Sequence, residues 1–237
     1  MGIGERTGAG RIIRPKWLIA ALIAVVVLVV CGPFVYTRFI ATDAPGALSA
    51  GPATGDPKGA AGSASADGTW RAGPGSQAGY RVQEVLFGQD TTAVGRTNAV
   101  TGSLAIAGRN VSSGSFTVDM TTLKSDRSQR DQQFQGRIMN TASFPRATFT
   151  LTKPIVLETP PAAGARATAT ATGDLLLRGA TKSVTFEVTV VRDAADQARV
   201  SGSIPVTFAD WRIPNPSIGP IETEDHGTVE FLLTLRR

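Results

Sequence analysis

Apolar residues stand at alternate positions on both sides of a Gly-Ala turn between Gly173 and Val190: Leu175 and Leu177 before it, then Val184, Phe186, Val188 and Val190 after it. A period of two puts every second side chain on one face, the mark of half-buried antiparallel strands. The same spacing recurs at Leu104/Ile106, Phe116/Val118/Met120, Phe149/Leu151, Ile204/Val206/Phe208 and Val229/Phe231/Leu233/Leu235, so residues 69–237 are predicted to form one all-β domain. Strands are expected at 80–87, 91–98, 100–106, 114–120, 147–151, 167–177, 183–191, 199–208 and 227–235. That number suits a closed antiparallel barrel of about eight strands, which leaves no exposed sheet edge. A two-layer sandwich satisfies the same periodicity. The polar stretch 125–138 breaks the pattern and predicts a short helix capped by Ser125 or Asp126, with Phe134 and Ile138 on one face against a barrel end. Residues 153–166 and 211–222 are rich in turn formers and read as loops.

The other strong signal lies at residues 17–36, a run of mostly Leu, Ile, Val and Ala with no charged side chain. It is long enough to cross a bilayer, and Trp17 and Tyr36 stand where interfacial aromatics sit. Arg6, Arg11, Arg14 and Lys16 precede it while only Arg38 follows closely, a bias that predicts a cytoplasmic segment at 1–16, a transmembrane signal anchor at 17–36 and an extracytoplasmic C-terminal domain. A cleaved signal peptide is the alternative, but its apolar core is usually shorter, about 7 to 15 residues, and ends at an Ala-x-Ala-like site. Residues 37–68 turn to Ala, Gly, Pro and Ser with isolated charges, the composition of a flexible linker.

Composition narrows the chemistry. Cys31, the only cysteine, falls within the apolar run, so the β domain has no intramolecular disulfide and no thiolate chemistry. Of 24 Lys and Arg and 19 Asp and Glu, six basic and four acidic residues fall in 1–68, which leaves a mild +3 on the domain. No dense basic run interleaved with aromatics is present, and nucleic acid is therefore not an expected partner. His226 is the only histidine, and Glu222, Glu224 and Asp225 crowd the same turn without the ligand spacing of a metal site or the geometry of an acid-base pair. No cofactor, metal or catalytic residue is expected. Arg127, Arg130, Asp126 and Asp131 lie on the expected helix as a solvated face with local ion pairs, or as a clasp near the barrel end. Arg130 is also a candidate for contact with an anionic head group.

Arg130-Asp131, then Phe144-Pro145-Arg146-Ala147-Thr148-Phe149, then Gly173-Asp174-Leu175-Leu176-Leu177-Arg178-Gly179-Ala180-Thr181-Lys182 follow in an order and spacing that resembles the YceI-like family across residues 70–235. The resemblance implies a lipocalin-like antiparallel β-barrel, exported from a bacterial cell, whose interior takes a polyisoprenoid or isoprenoid quinone. It also implies non-catalytic binding, sequestration or transport of that lipid in the cell envelope.

The residues lend this independent support. One face of strand 167–177 carries Ala167, Ala169, Ala171 and Gly173 before Leu175 and Leu177, and small inward residues leave room for a ligand in a barrel of this size. The face could equally point to solvent, or Phe116 and Phe186 could fill the space. Alternation nominates Phe116, Val118, Phe149, Ala169, Ala171, Leu175, Leu177, Phe186 and Val188 as lipid-binding, with Phe134, Ile138, Phe144 and Trp211 near an end. Two rival readings stay open: a filled barrel that binds another envelope protein, and an enzyme acting on an envelope lipid through the His226 loop. Sequence leaves the oligomeric state undetermined. The expected localisation has a direct test, since a reporter fused at Arg237 should be active only outside the cytoplasm, and cytoplasmic activity would overturn the topology.

Overall fold

A computed structural model of the chain describes residues 20–27, 29, 44–52, 65–86, 88–157, 161–162, 164–219 and 221–237. The chain divides into two units, Met1–Asp43 and Ala44–Arg237. In the first, residues 20–27 and 29 are helical and exposed. The rest of the expected anchor lies outside the described residues, among which no helix is long and apolar enough to cross a membrane.

The second unit is built from thirteen strands in one antiparallel sheet. In chain order they are β1 (Gly68–Ala72), β2 (Gln77–Leu86), β3 (Gln89–Thr97), β4 (Val100–Ala107), β5 (Asn110–Asp119), β6 (Lys124–Ser125) and β7 (Arg146–Leu151). They continue with β8 (Ile155–Val156), β9 (Arg166–Leu177), β10 (Ala180–Arg192), β11 (Gln197–Thr207), β12 (Ile221–Thr223) and β13 (His226–Arg236). The ring runs β1-β4-β5-β7-β9-β10-β11-β13 and closes because β13 also pairs with β1. The result is an eight-stranded barrel, and closure decides against the sandwich. β2 and β3 prolong β1 and β4 at one end, where β2 pairs with β13, β3 and β12, and β3 takes the short β6.

Local chemistry sets these pairings. The β9–β10 hairpin turns on Arg178 and Gly179, both at positive φ (47° and 74°), which is the two-residue turn that suits the strand twist. It sits one residue before the expected Gly-Ala pair. The expected helix is present as an α-turn over Ser128–Gln133 that widens into a π-turn over Phe134–Ile138. Its cap differs from expectation: Arg127 occupies the N-cap without a side-chain bond, because Ser125 belongs to β6. There the Ser125 backbone N–H and hydroxyl both donate to the buried Asp131 carboxylate, at 2.7 and 2.8 Å, which ties the helix to the sheet.

Residues 44–52 depart from the expected free linker. They lie along the barrel's outer wall: Arg81 donates to the Pro45 carbonyl (2.6 Å), Arg166 to Gly51 (2.7 Å), and Arg199 to Ala50 and Pro52, while the Leu48 N–H donates to Glu230 (2.8 Å) and the Ala50 N–H to Ser201 (3.0 Å). Glu230 faces outward and is 3% exposed, compensated by Arg81 and Arg96. Residues 53–64 of the expected linker lie outside the described residues.

Inside, aromatic rings fold over glycines of neighbouring strands. Tyr80 faces Gly95, Phe116 faces Gly102 and Phe231 faces Gly202 in direct register, and Phe149 lies over Gly173. A Cβ at Gly173 would stand 2.4 Å from the Thr150 carbonyl and 2.5 Å from the Phe149 ring, so backbone as well as side chain must move. Gly173→Ala should therefore cost about 1 to 3 kcal/mol in denaturant melts, whereas Gly136→Ala, with nothing within 4 Å of the new methyl, should be neutral or stabilising. Equal effects of the two substitutions would refute this account of the wall.

Candidate functional site

Two cavities occupy the barrel, of about 180 Å³ and about 120 Å³, and Ala78, Val118, Ala147, Leu175 and Val229 line both. Those shared residues form a common wall between the two cavities. The first cavity lies between the two ends of the ring and reaches Leu157, Pro161 and Arg192; the second lies over the helix.

Alternation positions the lining. On β9, Ala169, Ala171 and Leu175 point inward; on β10, Phe186 and Val188; on β5, Phe116 and Val118; on β7, Phe149. Leu177, Phe134 and Ile138 line the second cavity. Phe149, Phe186 and Phe231 meet edge to face, with ring centroids 5.3 and 5.8 Å apart, and Tyr80 stacks on Phe134 at 4.9 Å. The structure thus gathers eleven of the thirteen nominated residues on the cavity walls. The other two lie elsewhere. Phe144 packs over Gly179 on the outside of the β9–β10 turn. Trp211 is buried in the same hydrophobic cluster as Phe134, where its indole N–H donates to the Leu175 carbonyl at 3.2 Å.

Sequence reasoning missed part of the wall. Trp70, Leu104, Val200, Ile204, Val229, Phe231, Leu233 and Leu235 also line the first cavity. Most of them carried the same alternation signal and needed only closure to be placed inside. Glu84 and Thr223 carried no such signal.

Among the described residues Glu84 and Arg130 are the only charged side chains on the second cavity's wall. Ala78, Tyr80, Val82 and Glu84 alternate along β2 and all face inward, so a carboxylate stands at the end of an apolar row. Arg130 reaches it at 3.5 Å and also binds Asp126 one helical turn back. Burial pushes the Glu84 carboxyl above its usual range, opposed by the Arg130 charge. Burial likewise pushes the Tyr80 phenol up, so it stays a neutral hydroxyl. Thr223 on β12 stands opposite Glu84 in register; it is 9% exposed, and its hydroxyl has no hydrogen-bond partner among the described residues.

His226 lies apart from the cavities at the start of β13, exposed, with Nδ1 2.9 Å from Asp225 and Nε2 3.4 Å from Glu224. The Asp225 hydrogen bond raises its pKa above the ordinary imidazole value. Among the described residues no group of acidic, His or Cys side chains could hold a metal ion.

The YceI-like domain profile matches residues 72–235. A polyisoprenoid binding domain from Saccharophagus degradans, implicated in plant cell wall breakdown, superposes with a TM-score of 0.57 at 13% identity, covering 72% of this chain and 98% of that one. BcnA of Burkholderia cenocepacia superposes at 0.50 with 17% identity, covering 65% of this chain and 95% of its own. No curated protein matches. The profile spans well over half of the chain, which therefore belongs to the YceI-like family.

The raised Glu84 carboxyl sets a pH dependence. Its folded pKa lies above the unfolded value near 4.5, so the folded state holds the proton longer. Stability then falls as pH rises from 4.5 through the folded value. Glu84→Gln should raise Tm at neutral pH and flatten that slope in thermal melts across the acid range; a lower Tm at neutral pH would mean that the Arg130 pair outweighs burial.

Proposed function

We propose that this member of the YceI-like family holds or carries an isoprenoid lipid in the cell envelope, without catalysis, and that an N-terminal anchor keeps it on the outer side of the cytoplasmic membrane. The observation that carries the reading is the pair of abutting apolar cavities. Protein interiors are normally close-packed, with few voids larger than a water molecule. Holding about 180 Å³ clear of side chains costs about 4 kcal/mol at about 24 cal/mol per Å³, a large part of a domain's whole stability. A wall of aliphatic and aromatic side chains suits an apolar tail, and each buried CH₂ contributes about 0.8 kcal/mol. Two small cavities that share a wall suit a slim chain rather than a compact ligand.

Both rival readings fit less well. A filled barrel acting only through its rim has no use for the cavities. Catalysis through His226 would require the imidazole to reach the lipid, and it sits exposed on the outer turn with its nitrogens beside carboxylates. The polyisoprenoid binding described for the Saccharophagus degradans domain supports the same ligand class. The uncharged run at 17–36 and its basic N-terminal flank support the location.

Native mass spectrometry of the purified full chain should show a co-purified lipid with an isoprenoid mass spacing. Ala171 is 2% exposed and faces Phe186 across the β9–β10 ladder, so Ala171→Phe fills the first cavity. That variant should lose most of the bound lipid while the fold survives, at a cost of about 1 to 3 kcal/mol. Full occupancy in Ala171→Phe would place the lipid elsewhere.

A further inference from the structure

The second cavity ends on polar groups that an apolar tail cannot use. Thr223 is buried with its hydroxyl unpartnered, and it shares the inner face with Glu84, its register partner on β2. Directly opposed residues on one sheet face stand about 4.5 to 5.5 Å apart at Cβ, so one small group can meet both. A buried hydroxyl without a partner is costly and is rarely left so. This end of the cavity is therefore built to receive a polar group, whereas the first cavity is apolar apart from Thr148 and from Arg192, which is held by the Pro161, Ala194 and Ala195 carbonyls.

Charge selects the kind of group. Among the described residues Arg130 is the only cation on this wall, and it is already engaged by two carboxylates, Glu84 and Asp126. On neighbouring elements Lys124 faces Asp131, Arg127 faces Asp126 and Arg137 is held by the Asn215 and Pro216 carbonyls, while Glu222, Glu224 and Asp225 outnumber His226 at the β12–β13 turn. A phosphate placed beside Thr223 would find the wall's cation, Arg130, already shared by two carboxylates and would lie against the Glu84 carboxylate. A neutral oxygen meets no such penalty: it can accept from the Thr223 hydroxyl, and a hydroxyl of the ligand can donate to Glu84.

We infer that the Thr223–Glu84–Arg130 end of the second cavity is a head-group site for an uncharged, oxygen-bearing ring or alcohol, with the tail running past Val118 and Leu175 into the first cavity. The inference rests on the lipid-binding reading above and adds the polarity of the head group and the direction in which the ligand lies. It also turns Arg130 from an anion receptor into a group that holds Glu84 in place.

The test uses the full chain, freed of co-purified lipid, and displacement of diphenylhexatriene by three ligands of equal tail length: a geranylgeranyl naphthoquinone, geranylgeranyl diphosphate and phytane. The quinone should bind at least about tenfold more tightly than the diphosphate. Thr223→Val should weaken the quinone roughly fivefold, the worth of one neutral hydrogen bond, and leave phytane unchanged. Thr223→Ser, which keeps the hydroxyl, should restore quinone binding, and this separates the hydroxyl from any packing defect. Diphosphate binding as tight as the quinone's, or a quinone affinity indifferent to Thr223→Val, overturns the head-group site while phytane binding keeps the tail reading. Failure of all three ligands to displace the probe overturns both.

Discussion

Everything inside this domain depends on β13 finding partners along both of its edges. One edge is supplied by β11 along its whole length, while the other is shared by β1 and β2, which are separated by a bend. The bend would leave the Thr234 peptide N–H without a ladder partner in the middle of a closed wall, and an unpaired buried N–H is expensive. Ser76 resolves it: its buried hydroxyl accepts from the Thr234 N–H at 3.0 Å, and the Gly73 N–H returns to the Thr234 carbonyl at 2.8 Å. Closure then leaves no free edge in the ring and commits every alternate side chain to an enclosed space.

What fills that space follows from the wall's small residues. A ring in a narrow barrel must either project to the axis and block it or lie flat against the wall. Glycines at 95, 102, 173 and 202 allow the second arrangement, because each leaves room for a ring from the adjacent strand. The aromatic side chains thereby become lining instead of plug, Phe231 on the wall of the first cavity and Phe134 on that of the second. The same residues that a packing argument would cite as filler, Phe116 and Phe186, are therefore compatible with a cavity.

The fold was legible because alternation survives wherever one face is wet and the other dry, as on β9 and the first half of β10; on β13 the outward Glu230 and Thr234 are themselves buried, and the apolar period alone carried the reading. The cavity wall was legible for the same reason, and Ala169 and Ala171 pointed to it through their size. Failures have particular causes. Phe144 and Trp211 stand outside any alternating strand, so sequence offers no rule for their direction; one packs against Gly179 of the β9–β10 turn and the other is buried in the core. Glu84 was hidden because Gln83, Glu84 and Val85 show no period, and Thr223 because a three-residue strand cannot show one. Residues 44–52 carry only one large apolar side chain, Leu48, which is why composition suggests a free linker. They are held instead by their backbone, whose carbonyls accept from arginines distant in sequence and whose N–H groups at Leu48 and Ala50 donate to Glu230 and Ser201.

The separation of polar and apolar work along the barrel axis bears on how a lipid would be held and released. Tail burial is non-directional and grows with length, so it supplies affinity but no register. A single directional contact at one end is enough to fix register, since sliding the ligand by one isoprene unit would move its oxygen from the Thr223 hydroxyl into an apolar wall. That contact contributes only on the order of 1 kcal/mol, so it selects the ligand without making it hard to remove. A binder arranged in this way discriminates head groups by the penalty of a mismatch at Glu84 and tolerates a range of tails, which is the division of labour expected of a carrier that must take up and surrender its cargo at a membrane.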